Sequence, residues 1–230
     1  MTVSRTDDAA PRPDGWEGAG PAPSVLVGLV QEDWAGDARY AEYSSAADPI
    51  AAGTISRVPV RRFSAERYRG GGTRMVDLDC ADVLGTRSPA TTPALHAAFV
   101  VLVPGTPLVT EPEATSELFY CLSGEGALDF ERSSPGPAPS SGTIRWSSGD
   151  VVVLPAGCRV THRAEGARAV LYRVTDAPLL RYLGAVPGPA RFAPTRYPAE
   201  QTEALLAEVA DDPAASERSR VSVLLGNAAT

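Results

Sequence analysis

The chain has 230 residues, 43% of them hydrophobic and 21% charged, enough for one ordinary core and some spare segment. Its two histidines, His96 and His162, exclude a self-contained three-histidine metal site, and its three cysteines exclude a disulfide scaffold or a four-cysteine zinc site. A net charge of −7, with arginine as the only basic residue type, argues against nucleic acid as a partner, because phosphate binding needs a basic face.

Residues 1–22 are rich in Pro, Gly, Ala and Asp and are expected to form a disordered arm. Their acidic start has no apolar core of a signal peptide, and no stretch approaches the roughly 20 apolar residues of a membrane span. Cys80, Cys121 and Cys158 are scattered in apolar contexts, so a reducing cytoplasm is the expected compartment. Residues 23–56 form an N-terminal extension, with an apolar run at 25–30 and Trp34 as its docking points.

From residue 57 the texture becomes β. RVPVRRF (57–63) reads as a short strand, and the glycines at 70–72 as a turn into another. No lysine follows those glycines and no helix opens there, so they are not a phosphate loop. Apolar β runs follow at 97–103, 117–122 and 127–131, then an exposed Ser/Pro/Gly loop at 133–142, then runs at 143–146, 151–154, 158–163 and 169–175. Short strands spaced about 8–12 residues apart with Gly/Pro punctuation predict an all-β barrel or sandwich over 57–176. Residues 177–230 form a C-terminal segment: PLLRYLG and a Pro-rich link, a helix over 198–209 with Pro at its start, and a β-like tail, RVSVLLGNAAT.

The segment 105–126 carries a recognisable spacing. Gly105, Glu111, Glu113, Glu117 and Gly124 fall where the first cupin motif has Gly, two histidines, Glu and Gly. Gly149, Pro155 and Gly157 match the second motif, whose histidine position is Val160. The chain therefore resembles the cupin superfamily, which implies a jelly-roll (double-stranded β-helix) barrel. LGTRSPATTP and the tail LLGNAAT further resemble the two openings of gentisate dioxygenase-like bicupins, as if this were the first half of such a layout. That likeness implies a partner for the exposed barrel face, and a homodimer is expected.

In the family, those three histidine positions and the glutamate usually hold Fe, Mn, Ni or Zn. Here only Glu117 is kept. Residues two apart on a strand share a face, so if Val160 points inward, Cys158 and His162 do too. The interior is then expected to hold the carboxylates Glu111, Glu113 and Glu117 with His162. Crowded carboxylates in low dielectric cannot all ionise, which suits acid–base work. The leading reading is a metal-independent enzyme without a cofactor, acting on a small, partly apolar molecule by isomerisation, elimination or cyclisation. A cyclase of polyketide-like natural-product biosynthesis is one example. Glu117 and His162 would be the acid–base pair, with Glu111 and Glu113 orienting; Tyr120, Tyr172, Cys121, Cys158 and Val160 would contact the substrate.

Other readings stand beside it. The same carboxylates and His162 could hold a hard divalent cation, or the barrel could be a non-catalytic binding or assembly module. Residue by residue, Glu111 could be exposed at the rim, Glu117 could sit in a salt bridge with an arginine, and His162 could be a hydrogen-bonded strand residue. Cys121 and Cys158 could be small buried hydrophobes, and His96 is expected to pack rather than react.

Overall fold

A computed structural model of the chain describes residues 38, 40, 42–51, 53, 59–133, 139–211 and 222–227. The chain divides into two units, residues 1–58 and 59–230. The expected arm at 1–22, the apolar run at 25–30 and Trp34 lie outside the described residues. The described part of the first unit contains a short helix, α1 (Tyr43–Ala47), at whose start the Glu42 carboxylate accepts the Ser44 amide at 3.0 Å.

The second unit opens without the strand expected at 57–63: residues 59–64 pair with no strand. Pro59 has no amide to donate. The Arg61 guanidinium instead straps the segment down, bidentate on Asp82 at 3.0 and 2.7 Å and on the Asp79 carbonyl at 3.1 Å. Beyond a 3-10 turn at Ala65–Tyr68 the strands begin. They are β1 (Arg74–Asp77), β2 (His96–Leu102), β3 (Leu108–Thr110), β4 (Ser116–Arg132), β5 (Ser141–Ser147), β6 (Val151–Pro155), β7 (Cys158–Thr175) and β8 (Thr195–Tyr197). A short helix α2 (Ala81–Leu84) lies between β1 and β2; α3 (Ala177–Leu183) follows β7 and α4 (Ala199–Asp211) follows β8.

All pairings are antiparallel, and two long strands organise them. The first part of β4, Glu117–Tyr120, pairs with β6 on one side and the end of β7 on the other. Its second part, Glu125–Glu131, pairs with β5 and the start of β7. β7 likewise carries β3 on its start and β2 on its end. Two walls result, β1-β2-β7-β4-β6-β8 and β3-β7-β4-β5, sharing the two long strands that bend from one wall into the other. Where the sequence reads as two strands broken by Ser-Gly-Glu-Gly, β4 runs on. Register shifts at Cys121/Ser123 and Ser123/Glu125, with Gly124 at φ 83°, absorb the extra residues as a bulge.

Between the walls lies the apolar core: Val100, Leu102, Phe119, Leu128, Leu154, Val160 and Leu171 are among its fully buried members. Trp146 packs so closely over Gly126 that a Cβ there would come within 2.6 Å of the indole and 2.1 Å of the Arg163 carbonyl. The tail forms no strand in its described part, 222–227. It is tied to the β8 region by side chains, Tyr197 Oη donating to the Gly226 carbonyl at 2.9 Å and Asn227 Nδ2 to the Ala193 carbonyl at 3.4 Å.

Candidate functional site

The strand register builds an interior row at one end of the barrel. Asp77 lies opposite Ala98, Ala98 opposite Arg173, His96 opposite Thr175, and Thr175 opposite Glu117. Strand alternation turns all of these to the inner face. Glu117 and Arg173, diagonal neighbours on β4 and β7, form an ion pair through Arg173 Nε and Glu117 Oε1, both side chains being at most 6% exposed. Arg173 Nη1 also points at Met75 Sδ on β1, 3.4 Å away. Burial drives the Glu117 carboxyl upward from its ordinary pKa, opposed by the Arg173 charge and hydrogen bond and by Thr110.

His162 lies deeper, fully buried, on the same inner face as Cys158 and Val160. Its Nε2 is 2.9 Å from Thr110 Oγ1, its ring centroid 4.8 Å from that of Phe119, and its Nδ1 is buried without a hydrogen-bond partner. Burial, reinforced by the Arg173 charge, pushes its pKa down to about 3, so the imidazole is neutral. Val160, Cys121 and Cys158 belong to the apolar core, with burial raising the thiols to about 12 and about 11; they pack and stay protonated.

The interior set expected from the sequence is only partly brought together. Glu111 and Glu113 follow β3 in a loop and are exposed. Glu111 pairs at 2.8 Å with Arg159 Nη1, with both side chains more than half exposed. The reason is local: the strand ends at Thr110, and Pro112 between the two acids cannot continue the ladder. The crowd of three buried carboxylates is therefore replaced by one, Glu117, with its own counter-charge. Tyr120 and Tyr172 are opposite each other on β4 and β7, on the face away from Glu117 and Arg173. There Tyr172 joins an aromatic cluster with Phe99 and Tyr68 rather than lining the interior.

Above the Glu117–Arg173 pair opens a cleft of about 340 Å³. Its charged lining comes from Asp77, His96, Arg173, Arg181 and, at the rim, the two exposed acids Glu111 and Glu113, with Thr110 and Thr175 as polar neighbours and Met75 and Val109 on the apolar side. Glu117 and His162 do not line it. Each instead holds a group that does, Glu117 holding Arg173 and His162 holding Thr110. His96 Nε2 lies 3.2 Å from Asp77 Oδ1, close enough for charge attraction but not aligned as a hydrogen bond, and burial lowers the His96 pKa against the pull of Asp77. Sequence reasoning passes over this pair because it reads His96 as packing. Strand parity is the signal that finds it, since Asp77 and His96 close and open strands whose inner faces meet at the barrel mouth.

The donor set falls short of the metal that the resemblance to cupins implies. Val160 has no donor, Glu111 and Glu113 are exposed, Glu117 is engaged by a guanidinium and His162 Nε2 by a hydroxyl. Among the described residues, no three His, Cys, Asp or Glu side chains come together as a metal site. The residues present do not fit a divalent cation.

Two shared walls, bent long strands and both glycine-rich motifs at strand ends form a single antiparallel β-barrel, the architecture that the resemblance to cupins implies. No protein-family model and no curated protein matches the chain. Among solved structures it is similar to salicylate 1,2-dioxygenase from Pseudoaminobacter salicylatoxidans in its adducts with gentisate, at 25% identity over 51% of this chain and 28% of that one, TM-score 0.39. A point mutant of that enzyme in complex with gentisate matches at 26% identity over 50% and 28%, TM-score 0.39. An oxalate decarboxylase structure matches at 17% over 48% and 27%, TM-score 0.38. The chain thus spans less than a third of the length of each of these proteins.

Proposed function

We propose that the barrel is a metal-independent enzyme that moves a proton on a small, partly apolar molecule bound in the mouth cleft, in an isomerisation, elimination or cyclisation. The observation that carries this reading is that His96, with the Asp77 carboxylate 3.2 Å from its Nε2, and the guanidinium of Arg173 border the same cleft. A neutral imidazole beside a carboxylate can take a proton, and the carboxylate then stabilises the imidazolium. A guanidinium fixed by a buried partner is preorganised to stabilise negative charge that develops on the substrate. Met75 and Val109 supply apolar walls for the body of the molecule. Glu117 and His162 are positioning residues: one aims Arg173, the other Thr110.

The test needs no knowledge of the product. Chelator-treated protein is incubated in D2O with a panel of small carbonyl and unsaturated compounds, and NMR follows loss of a carbon-bound proton signal. Catalysed wash-in of deuterium on at least one compound is expected. Binding without any exchange would instead support a non-catalytic binding module and overturn the reading.

A further inference from the structure

The misfit of the metal ligands has a positive counterpart in the same place. On the inner face of the barrel the carboxylate of Glu117 and the guanidinium of Arg173 are both almost wholly buried and bonded to each other. We propose that the Arg173 guanidinium is the resident cation of this barrel: it stands where a divalent ion would bind Glu117, neutralises that carboxylate, and closes the position to metals.

Three observations support it. The register gives Arg173 room, since its neighbour on β2 is Ala98, whose side chain is the smallest that keeps a Cβ. The guanidinium spans the row from Glu117 on β4 to Met75 on β1, bridging three strands as a bound ion would. Its charge reaches the surrounding groups together, favouring the ionised form of Glu117 and opposing protonation of both His162 and His96. A planar, permanently charged fork suits this better than the point charge of a lysine, and arginine cannot be neutralised by burial. The inference stands apart from the proton-transfer reading, because a barrel that only binds its ligand would hold Arg173 in the same way.

The experiment measures melting temperatures of the full chain as wild type, R173M, E117Q and the E117Q/R173M pair, each with chelator and with added Co2+ or Mn2+. The wild type is expected to melt at the same temperature, within about 1 °C, under all metal conditions. R173M should melt far lower or fail to fold, because it leaves a buried charge unpaired, and E117Q/R173M should recover most of that loss. If R173M cannot be purified, the double variant still decides: its failure to fold would overturn the proposal. So would an R173M protein as stable as wild type, or a wild type stabilised by several degrees on adding metal. None of these results depends on whether deuterium exchange is seen.

Discussion

Two buried side chains, Glu117 held by Arg173 and His162 held by Thr110, decide what the interior can do. Glu117 and His162 are legible as inward-facing from strand parity and from the cupin spacing, because alternation is a property of the backbone alone. What the spacing does not carry is the partner. Arg173 lies 56 residues from Glu117 along the chain, and Thr110 lies 52 from His162, so both pairs depend on the register of β4, β3 and β7. The depressed His162 pKa makes a stability prediction. Below pH 6.5 the unfolded chain takes up a proton that folded His162 refuses down to about 3, so stability falls as pH falls through that window. Glu117 has the opposite sign, its raised folded pKa adding stability as pH drops toward its ordinary value. Urea unfolding at pH 6.5 and 5 should therefore differ between wild type and H162Q, with the wild type losing about 2 kcal/mol more, at about 1.4 kcal/mol per pH unit. Identical slopes would contradict a neutral buried imidazole.

At the scale of elements, the strands that sequence patterning marks are largely present, but their joins are not where the glycines suggest. β4 runs through its Gly124 bulge, and β7 fuses two expected strands. The short β3 and β8 are not legible, since three residues carry no period. α3 has a signal in the sequence, Asp176 and Pro178 at its start and Gly184 at its end. The C-terminal helix expected at 198–209 is α4, and the Asp150 carboxylate explains how it docks. Asp150 accepts the Ser147 amide at 2.8 Å, Arg196 Nε at 2.8 Å and the Ala199 amide at 2.9 Å, tying the β5–β6 turn to β8 and α4. Burial alone would raise that carboxyl, but the Ala199 and Ser147 amides and Arg196 outweigh it and hold the pKa low. D150A should therefore cost about 1–3 kcal/mol and raise hydrogen exchange in α4 before the barrel strands. G149A should act on the same joint, because Gly149 has φ 91° and a Cβ there would meet Ala199 Cβ at 2.8 Å. An α4 that stays as protected as wild type in D150A would contradict this docking.

For the whole molecule, charge is divided between a shell and an interior. Ion pairs such as Arg145–Glu165 and Arg159–Glu111 lie in solvent, where each is worth about 0–1 kcal/mol and is screened by salt. The Glu117–Arg173 pair lies behind the barrel walls. Raising NaCl from 50 mM to 500 mM is accordingly expected to change unfolding free energy by less than about 1 kcal/mol. A larger loss would mean the surface pairs carry the fold. In the function proposed above, proton transfer belongs to the mouth of the barrel, and the holding of its groups to the interior. The most direct test of that division is the initial rate of deuterium wash-in for H96N beside H162N, with both variants folded. A loss of about 10²–10⁴-fold is expected for H96N, with most of the rate retained by H162N; exchange that survives in H96N and disappears in H162N would contradict it.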